Sequence, residues 1–284
     1  MKKKALILVS ILTLASLIGY YCYSSTHDKE TEQDKPEIVN EKDKPWNISI
    51  FLDLSDRLTR QLTPSQAERD MTLIRHVTGK VKERIVKQKI IGSKDRIKVF
   101  FYPSPNISEI TLLSKNLELD MGNMPLKEKR SSVIKFEDEF SASLKQIYNK
   151  TLAAKQWVGS DIWGFFNKQI DTYCIKPTHR NVLIILTDGY IFHVNNKQKV
   201  GDAYSYILPQ TLSVPKSSLI VSRKGLKNLE VMFLEVNPYD PKTEPKMESV
   251  ITDWLHAMDV QHSIVAETDI PENTKLYIDN FLGE

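Results

Sequence analysis

Short apolar runs and longer amphipathic stretches alternate along the chain from residue 46 onward. Unbroken or alternating apolar runs predict strands, whereas apolar residues that recur at three- and four-residue steps predict helices. The predicted strands are Asn47–Leu52, Ile97–Tyr102, Asn181–Leu186, Leu229–Val236 and Ser263–Ala266, with a further strand or hairpin in Ile107–Met121 and an irregular excursion in Tyr190–Ile207. The predicted helices are Pro64–Lys89 after an N-cap at Thr63, Phe136–Ala154, a helix capped by Ser160, Lys246–Met258 and Pro271–Phe281. This order predicts an α/β fold with a doubly wound, mostly parallel sheet that helices cover on both faces.

The first 26 residues have a different pattern. Three lysines, Lys2 to Lys4, precede an uncharged stretch, Ala5 to Thr26, whose apolar part is about as long as the roughly 20 residues that cross a bilayer. We interpret residues 1–26 as a signal-anchor that crosses the cell membrane once and leaves the rest of the chain on the extracytoplasmic side. A signal peptide cleaved after Ser24 or Ser25 is the alternative, and it predicts a secreted or periplasmic protein.

Residues 27–45 carry dense charge of both signs and almost no large apolar side chains. Such a segment buries too little apolar surface to offset the entropy of ordering it, so we interpret it as a flexible polar linker. The folded part is therefore expected to be one domain over residues 46–284, joined to the membrane by its N-terminal anchor.

The distribution of charge excludes one class of partner. The chain of 284 residues has a formal net charge of +3, and Lys2 to Lys4 supply all of it, since 3 − 3 = 0 for the rest. The sequence contains no stripe of lysine and arginine of the kind that contacts a phosphate backbone. We therefore expect no binding of nucleic acid.

Three polar motifs stand at the ends of predicted core elements. Asp53-Leu54-Ser55-Asp56-Arg57 follows the first strand, Thr187-Asp188-Gly189 follows the central strand, and Gly159-Ser160-Asp161-Ile162 begins a helix. The carboxyl ends of parallel strands meet at one edge of a sheet, which is where such folds bind ligands. The motifs therefore predict one shared site, although each motif alone is also explained by a turn or a helix cap.

Together, the three motifs resemble those of a von Willebrand factor type A domain, and the similarity covers residues 46–284. The resemblance implies a metal-ion-dependent adhesion site, in which a divalent cation such as Mg²⁺ or Mn²⁺ is bound by Asp53, Ser55, Ser160 and Asp188. Carboxylate and hydroxyl oxygens are the ligands that these hard cations prefer. The resemblance also implies a protein partner, whose carboxylate completes the coordination of the ion.

Arg57 departs from the family pattern, which has a second serine at that position. A guanidinium group has only donors and stays protonated, so it cannot ligate a cation and opposes cation binding nearby. One interpretation is that Arg57 takes the place of the ion in an internal salt bridge. In the other, Arg57 points outward and Asp56 or water completes the shell of the ion. The sequence does not decide between these two orientations of Arg57, and therefore does not decide whether a cation is bound.

Three functions are compatible with these features. The leading hypothesis is a membrane-tethered, extracytoplasmic module that binds a protein partner and is not an enzyme. The second is a metal-independent scaffold component of an envelope or secretion assembly, in which Asp56 and Arg57 serve partner contacts or salt bridges. The third is a metal-dependent hydrolase that uses Asp53 and Asp188, but no GxSxG, Walker A or GxGxxG motif supports it.

Overall fold

A computed structural model describes residues 44–155, 157, 159–191, 199–200, 203–204, 223–238 and 244–283. The predicted anchor, most of the predicted linker and most of the predicted excursion Tyr190–Ile207 lie outside the described residues. Within the described ranges, no helix is both long and apolar enough to cross a membrane.

The described residues form a six-stranded sheet with helices on both faces, and a separate two-stranded pair. The strands are β1 (Trp46–Leu52), β2 (Arg96–Phe100), β3 (Glu118–Asp120), β4 (Arg180–Leu186), β5 (Lys199–Val200), β6 (Ala203–Tyr204), β7 (Leu229–Val236) and β8 (His262–Glu267). The helices are α1 (Gln66–Lys87), α2 (Ser108–Leu113), α3 (Leu126–Ala154), α4 (Ile162–Lys168), α5 (Ile170–Cys174), α6 (Glu244–Ala257) and α7 (Pro271–Gly283). The order of the large sheet is β3-β2-β1-β4-β7-β8, and every neighbouring pair except β2 and β3 is parallel. The predicted α/β fold with a doubly wound, mostly parallel sheet is confirmed.

The direction of winding reverses between β1 and β4. From β1 the chain moves to β2 and β3 on one side, and it later returns to β4, β7 and β8 on the other. β1 and β4 pair in parallel up to Leu52 and Leu186. Asp53 and Thr187 are the next residues of each strand, so they leave the sheet side by side at its carboxyl edge. In open α/β sheets the crevice at such a reversal is the place where ligands bind.

Two apolar cores hold the helices to opposite faces of the sheet. Ile50 and Ile184 face the core beneath α1, α3 and α7, whereas Phe51 and Ile185 face the core beneath α4, α5 and α6. Successive residues of a strand point to opposite faces, and all four of these side chains are buried. This double burial is the reason that the central strands consist of unbroken apolar runs.

Several predicted bounds differ from the structure, and helix α3 begins at Leu126 instead of the predicted Phe136. Ile107–Met121, predicted as a strand or hairpin, contains helix α2, and only Glu118–Asp120 pairs with the sheet, antiparallel to β2. Helix α1 begins after Ser65 instead of Thr63, because Ser65 and Glu68 form a capping box that satisfies backbone N–H groups at both positions.

Candidate functional site

Asp53 lies at the centre of the carboxyl edge, directly after β1. Its carboxylate accepts hydrogen bonds from Ser55 N at 2.9 Å, Ser160 Oγ at 2.7 Å and Thr187 Oγ1 at 2.8 Å. The residue is 2% exposed. A buried carboxylate is tolerated only when protein donors or positive charges replace its water. The donors here come from all three sequence motifs, so the structure brings the three loops together around Asp53.

The helix that follows Ser160 is capped by a different residue from the one predicted. Asp161 is the N-cap of α4, and its Oδ1 accepts a hydrogen bond from Gly164 N at 2.8 Å. The hydroxyl of Ser160 is therefore left to donate to Asp53. Asp188 is the predicted site residue of the third motif, but the hydroxyl that reaches Asp53 is that of Thr187, which is fully buried.

A short 3₁₀ turn, Asp56–Thr59, carries the rest of the first motif. Ser55 caps this turn, and its Oγ accepts a hydrogen bond from Arg57 N at 3.5 Å. Asp56 is exposed at the rim of the carboxyl edge, whereas Arg57 is fully buried. The turn therefore places its two adjacent charges in opposite environments.

The guanidinium group of Arg57 forms a buried salt bridge beside the site. Its Nε donates to the Asp53 carbonyl at 3.0 Å and lies 3.9 Å from Asp53 Oδ2, while Nη2 donates to Asp70 Oδ2 at 2.6 Å. Tyr148 also donates its hydroxyl to Asp70, at 2.7 Å. Burial lowers the pKa of Arg57, but the groups around it, Asp70 and then Asp53 foremost, together raise it by more, so the net pKa lies above its ordinary value. Of the two orientations considered for Arg57, the structure shows the inward one, and Asp70 is its closest partner.

The Arg57–Asp70 pair belongs to a longer buried polar network. Gln66 donates to Asp70 at 3.0 Å and to Glu235 at 3.2 Å, and Arg69 forms a salt bridge with Glu235 at 2.7 Å. Glu235 has a left-handed backbone with φ 65°, where the pairing of β7 and β8 is irregular. All five side chains are buried. Helix α1 thus connects the first loop of the site to the end of β7 through charged and polar groups.

Asp188 has a different environment from that of Asp53. Its Oδ2 lies 3.2 Å from Arg60 Nη2, and its Oδ1 accepts a hydrogen bond from Tyr190 N at 3.3 Å. Asp188 is 5% exposed. Burial, followed by the negative charge of Asp53, raises the pKa of Asp188 to about 7. Asp188 therefore keeps its proton to a higher pH than an ordinary aspartic acid does.

The raised pKa of Asp188 predicts a specific dependence of stability on pH. The folded state holds this proton up to about pH 7, whereas the unfolded chain releases it near the ordinary value of 3.8. The contribution of Asp188 to stability therefore decreases as the pH rises from about 4 to about 7, by at most about 1.4 kcal/mol per pH unit. We expect the Asp188→Asn variant to lose less stability than the wild type across this interval, as measured by urea unfolding at several pH values. If the free energy of unfolding changed with pH by the same amount in both proteins, the raised pKa of Asp188 would be contradicted.

The candidate site has oxygen ligands of the type that the implied cation prefers, but it also has positively charged side chains that would repel a cation. The oxygen donors are those of Asp53, Ser55, Ser160 and Asp188. Arg57 and Arg60 already place two positive charges against the two carboxylates, and a divalent ion between them would be repelled by both. Among the residues that the structure describes, no group of three or more His, Cys, Asp or Glu side chains could hold a metal ion. The guanidinium groups of Arg57 and Arg60 therefore do not fit a resident divalent cation beside Asp53 and Asp188.

No known protein-family profile matches the chain, and no curated protein matches it. Among solved structures, the chain is similar to the crystal structure of an aerotolerance-related membrane protein from Bacteroides fragilis NCTC 9343 with multiple mutations to serines. The sequence identity is 13% and the TM-score is 0.40, over 84% of this chain and 98% of the other. A likeness this distant carries no inference about the function of this chain.

Proposed function

We propose that this chain is a membrane-tethered, extracytoplasmic protein-binding module with a von Willebrand factor type A-like domain, and that its site works without a resident divalent cation. The observation that carries the proposal is the buried contact of Arg57 with Asp53 and Asp70. A permanent positive charge of the protein itself stands where the resembled family has a serine ligand, and it balances the carboxylates that would otherwise attract a cation.

The hydrogen bonds around Asp53 support a role in binding. They join the first loop to Ser160 and Thr187 and so hold three loops of the carboxyl edge in one arrangement. A surface that is already ordered loses less conformational entropy when a partner binds. The carboxyl edge therefore suits recognition of a protein partner, and Asp56 is exposed at its rim.

The first 45 residues support the location. The lysine-flanked apolar segment and the charged segment after it have the composition of an anchor and a linker, which would hold the domain on the extracytoplasmic side of the membrane. Cleavage after Ser24 or Ser25 would release the same domain as a secreted or periplasmic protein.

The geometry of Asp53 argues against a hydrolase. Both oxygens of its carboxylate accept hydrogen bonds from hydroxyl groups, so it would have to lose these donors before it could attack a substrate. We therefore propose that the chain is not an enzyme. Turnover of a phosphoester or peptide substrate by the full-length chain that Asp53→Asn abolishes would contradict this.

Photo-crosslinking tests the binding role of the carboxyl edge. A photoreactive phenylalanine derivative in place of Asp56, in the full-length chain in its native cells, is expected to form an adduct with a protein partner. The yield is expected to be the same with and without EDTA, because the site holds no ion. The control carries the same group in place of Ile134, an exposed residue in α3, and is expected to give no adduct with that partner.

The outcomes separate the candidate functions. An adduct at position 56 that EDTA removes would contradict the ion-free site but keep the binding role. An adduct at position 134 in place of 56 would contradict binding through the carboxyl edge. That result would favour the scaffold component of an envelope or secretion assembly, in which the degenerate site is structural only.

A further inference from the structure

The edge of the sheet opposite the candidate site is built from the segments that precede the parallel strands. The last turn of α1, the loop of residues 88–95 and the first turn of α3 meet there. Lys129 joins them, because its Nζ donates to the carbonyl groups of Ile91 at 3.0 Å and Ser93 at 2.9 Å. This contact brings two segments that are far apart in the sequence into one surface.

This surface, which we call the amino-edge patch, combines exposed apolar and basic side chains. Val86 is 54% exposed, and Ile91 and Leu126 are each 67% exposed. Exposed basic residues in segments 83–95 and 126–130 are Lys87, Lys89, Lys94, Lys127 and Arg130. The exposed acidic residues in the same two segments are Glu83 and Glu128, so the exposed side chains carry a formal charge of 5 − 2 = +3. Exposed apolar side chains together with lysine and arginine are typical of surfaces that lie on anionic membranes.

The chain enters the domain beside the amino-edge patch. The carbonyl of Lys44 accepts a hydrogen bond from Arg84 Nη2 at 2.8 Å, and Trp46 N donates to Asp95 Oδ1 at 2.7 Å. The guanidinium of Arg84 also lies 4.7 Å from the centre of the Trp46 ring. The first described residues of the chain therefore lie next to the patch, on the side from which the predicted linker arrives.

We propose that the amino-edge patch docks on the anionic phospholipid surface of the membrane in which the chain is anchored. This rests on the membrane tether of the proposed function. The basic side chains are attracted to anionic headgroups over about 8 Å at physiological ionic strength, and a membrane tether keeps the domain close enough to the surface to encounter it repeatedly. Val86, Ile91 and Leu126 then enter the interfacial region of the bilayer.

Docking through the amino-edge patch fixes the orientation of the domain relative to the membrane. The strands run from the amino edge to the carboxyl edge, so a patch on the membrane points Asp56 and the loops around Asp53 away from it. The candidate site is thereby presented to a protein partner in the extracytoplasmic space, and the bilayer does not cover it.

Fluorescence quenching on nanodiscs tests the docking. The full-length chain carries Cys22→Ser and Ile91→Cys and is labelled at position 91 with an environment-sensitive fluorophore. The other cysteine, Cys174, is fully buried, and burial raises the pKa of its thiol to about 12, so it does not react. We expect spin-labelled lipid to quench the label about twofold more in nanodiscs with phosphatidylglycerol than in nanodiscs of phosphatidylcholine alone, and high salt to remove the difference.

Two matched variants control for position and charge. A label at Gln61→Cys, exposed at the carboxyl edge, is expected to show no quenching. A second variant replaces four exposed lysines of the patch with glutamine: Lys87→Gln, Lys89→Gln, Lys94→Gln and Lys127→Gln. We expect phosphatidylglycerol no longer to increase the quenching of the label at position 91 in this variant.

Each unfavourable outcome has one meaning. Co-elution of the chain with nanodiscs, but equal quenching at positions 61 and 91 or none at 91, overturns the docking and leaves the tether intact. Failure of the chain to co-elute with nanodiscs overturns both the docking and the tether.

Discussion

Replacing Arg57 with methionine is expected to lower the free energy of unfolding by about 3–5 kcal/mol. The substitution leaves Asp70 as a fully buried carboxylate that keeps hydrogen bonds from Tyr148 and Gln66 but loses its cation. Methionine is long and adaptable, so the loss of stability reports the missing charge more than an empty volume. Urea unfolding of the wild type and the variant measures the difference.

The matched control is the double variant Arg57→Met/Asp70→Asn. It removes the buried carboxylate together with its partner. The asparagine oxygen in the place of Oδ1 accepts the hydrogen bond from Gln66, and the amide nitrogen in the place of Oδ2 donates to the Tyr148 hydroxyl. We expect it to recover most of the stability lost by Arg57→Met, because no uncompensated charge remains in the core. Equal losses for the two variants would show that the pairing of Arg57 with Asp70 is not what holds this loop.

Replacing Arg57 with serine is expected to strengthen the binding of a divalent cation at the candidate site. The variant Arg57→Ser/Asp70→Asn removes the guanidinium that lies 3.9 Å from Asp53 Oδ2 and adds a hydroxyl oxygen in its place. Removal of one positive charge about 4 Å from a carboxylate is worth about 4 kcal/mol at an effective dielectric constant of about 20. Because Asp70→Asn also removes a negative charge nearby, we expect a gain on the order of 100-fold in the affinity for Mn²⁺.

Electron paramagnetic resonance of free and bound Mn²⁺ measures this gain. Adding Asp53→Asn to the double variant is expected to abolish it, because the central carboxylate of the site is then neutral. Mn²⁺ binding that is equally weak in the wild type and the double variant would mean that Arg57 is not the group that excludes the ion.

The strands could be predicted from the sequence where both faces are buried. The predicted bounds of Leu229–Val236 agree with β7, because nearly every position along that strand faces a core. Ile107–Met121 could not be assigned in the same way. Its apolar residues fit both helical and strand spacing, and contacts with α3 and β2 decide which part forms which element.

The location of the site could also be predicted, but the role of Arg57 could not. Parallel strands place the residues after β1 and β4 together, so Asp53 and Asp188 meet for topological reasons. The orientation of Arg57 depends on Asp70, which is 13 positions away and occupies an apparently ordinary polar position of an amphipathic helix. Periodicity alone does not show that such a residue is buried.

The amino-edge patch could not be predicted from the sequence either, because its residues come from two separate segments. Its basic residues belong to segments 83–95 and 126–130, and neither segment forms a stripe of positive charge by itself. Only the fold, through the contact of Lys129 with the loop of residues 88–95, makes them one surface.

Isothermal titration calorimetry of the wild-type, full-length chain with Mg²⁺ and Mn²⁺ tests most directly whether Arg57 takes the place of the cation. We expect no saturable heat with either ion, and the same result for Asp53→Asn and Asp188→Asn. Saturable binding by the wild type that either substitution removes would contradict this claim, because it would show that the two carboxylates hold an ion beside the guanidinium of Arg57.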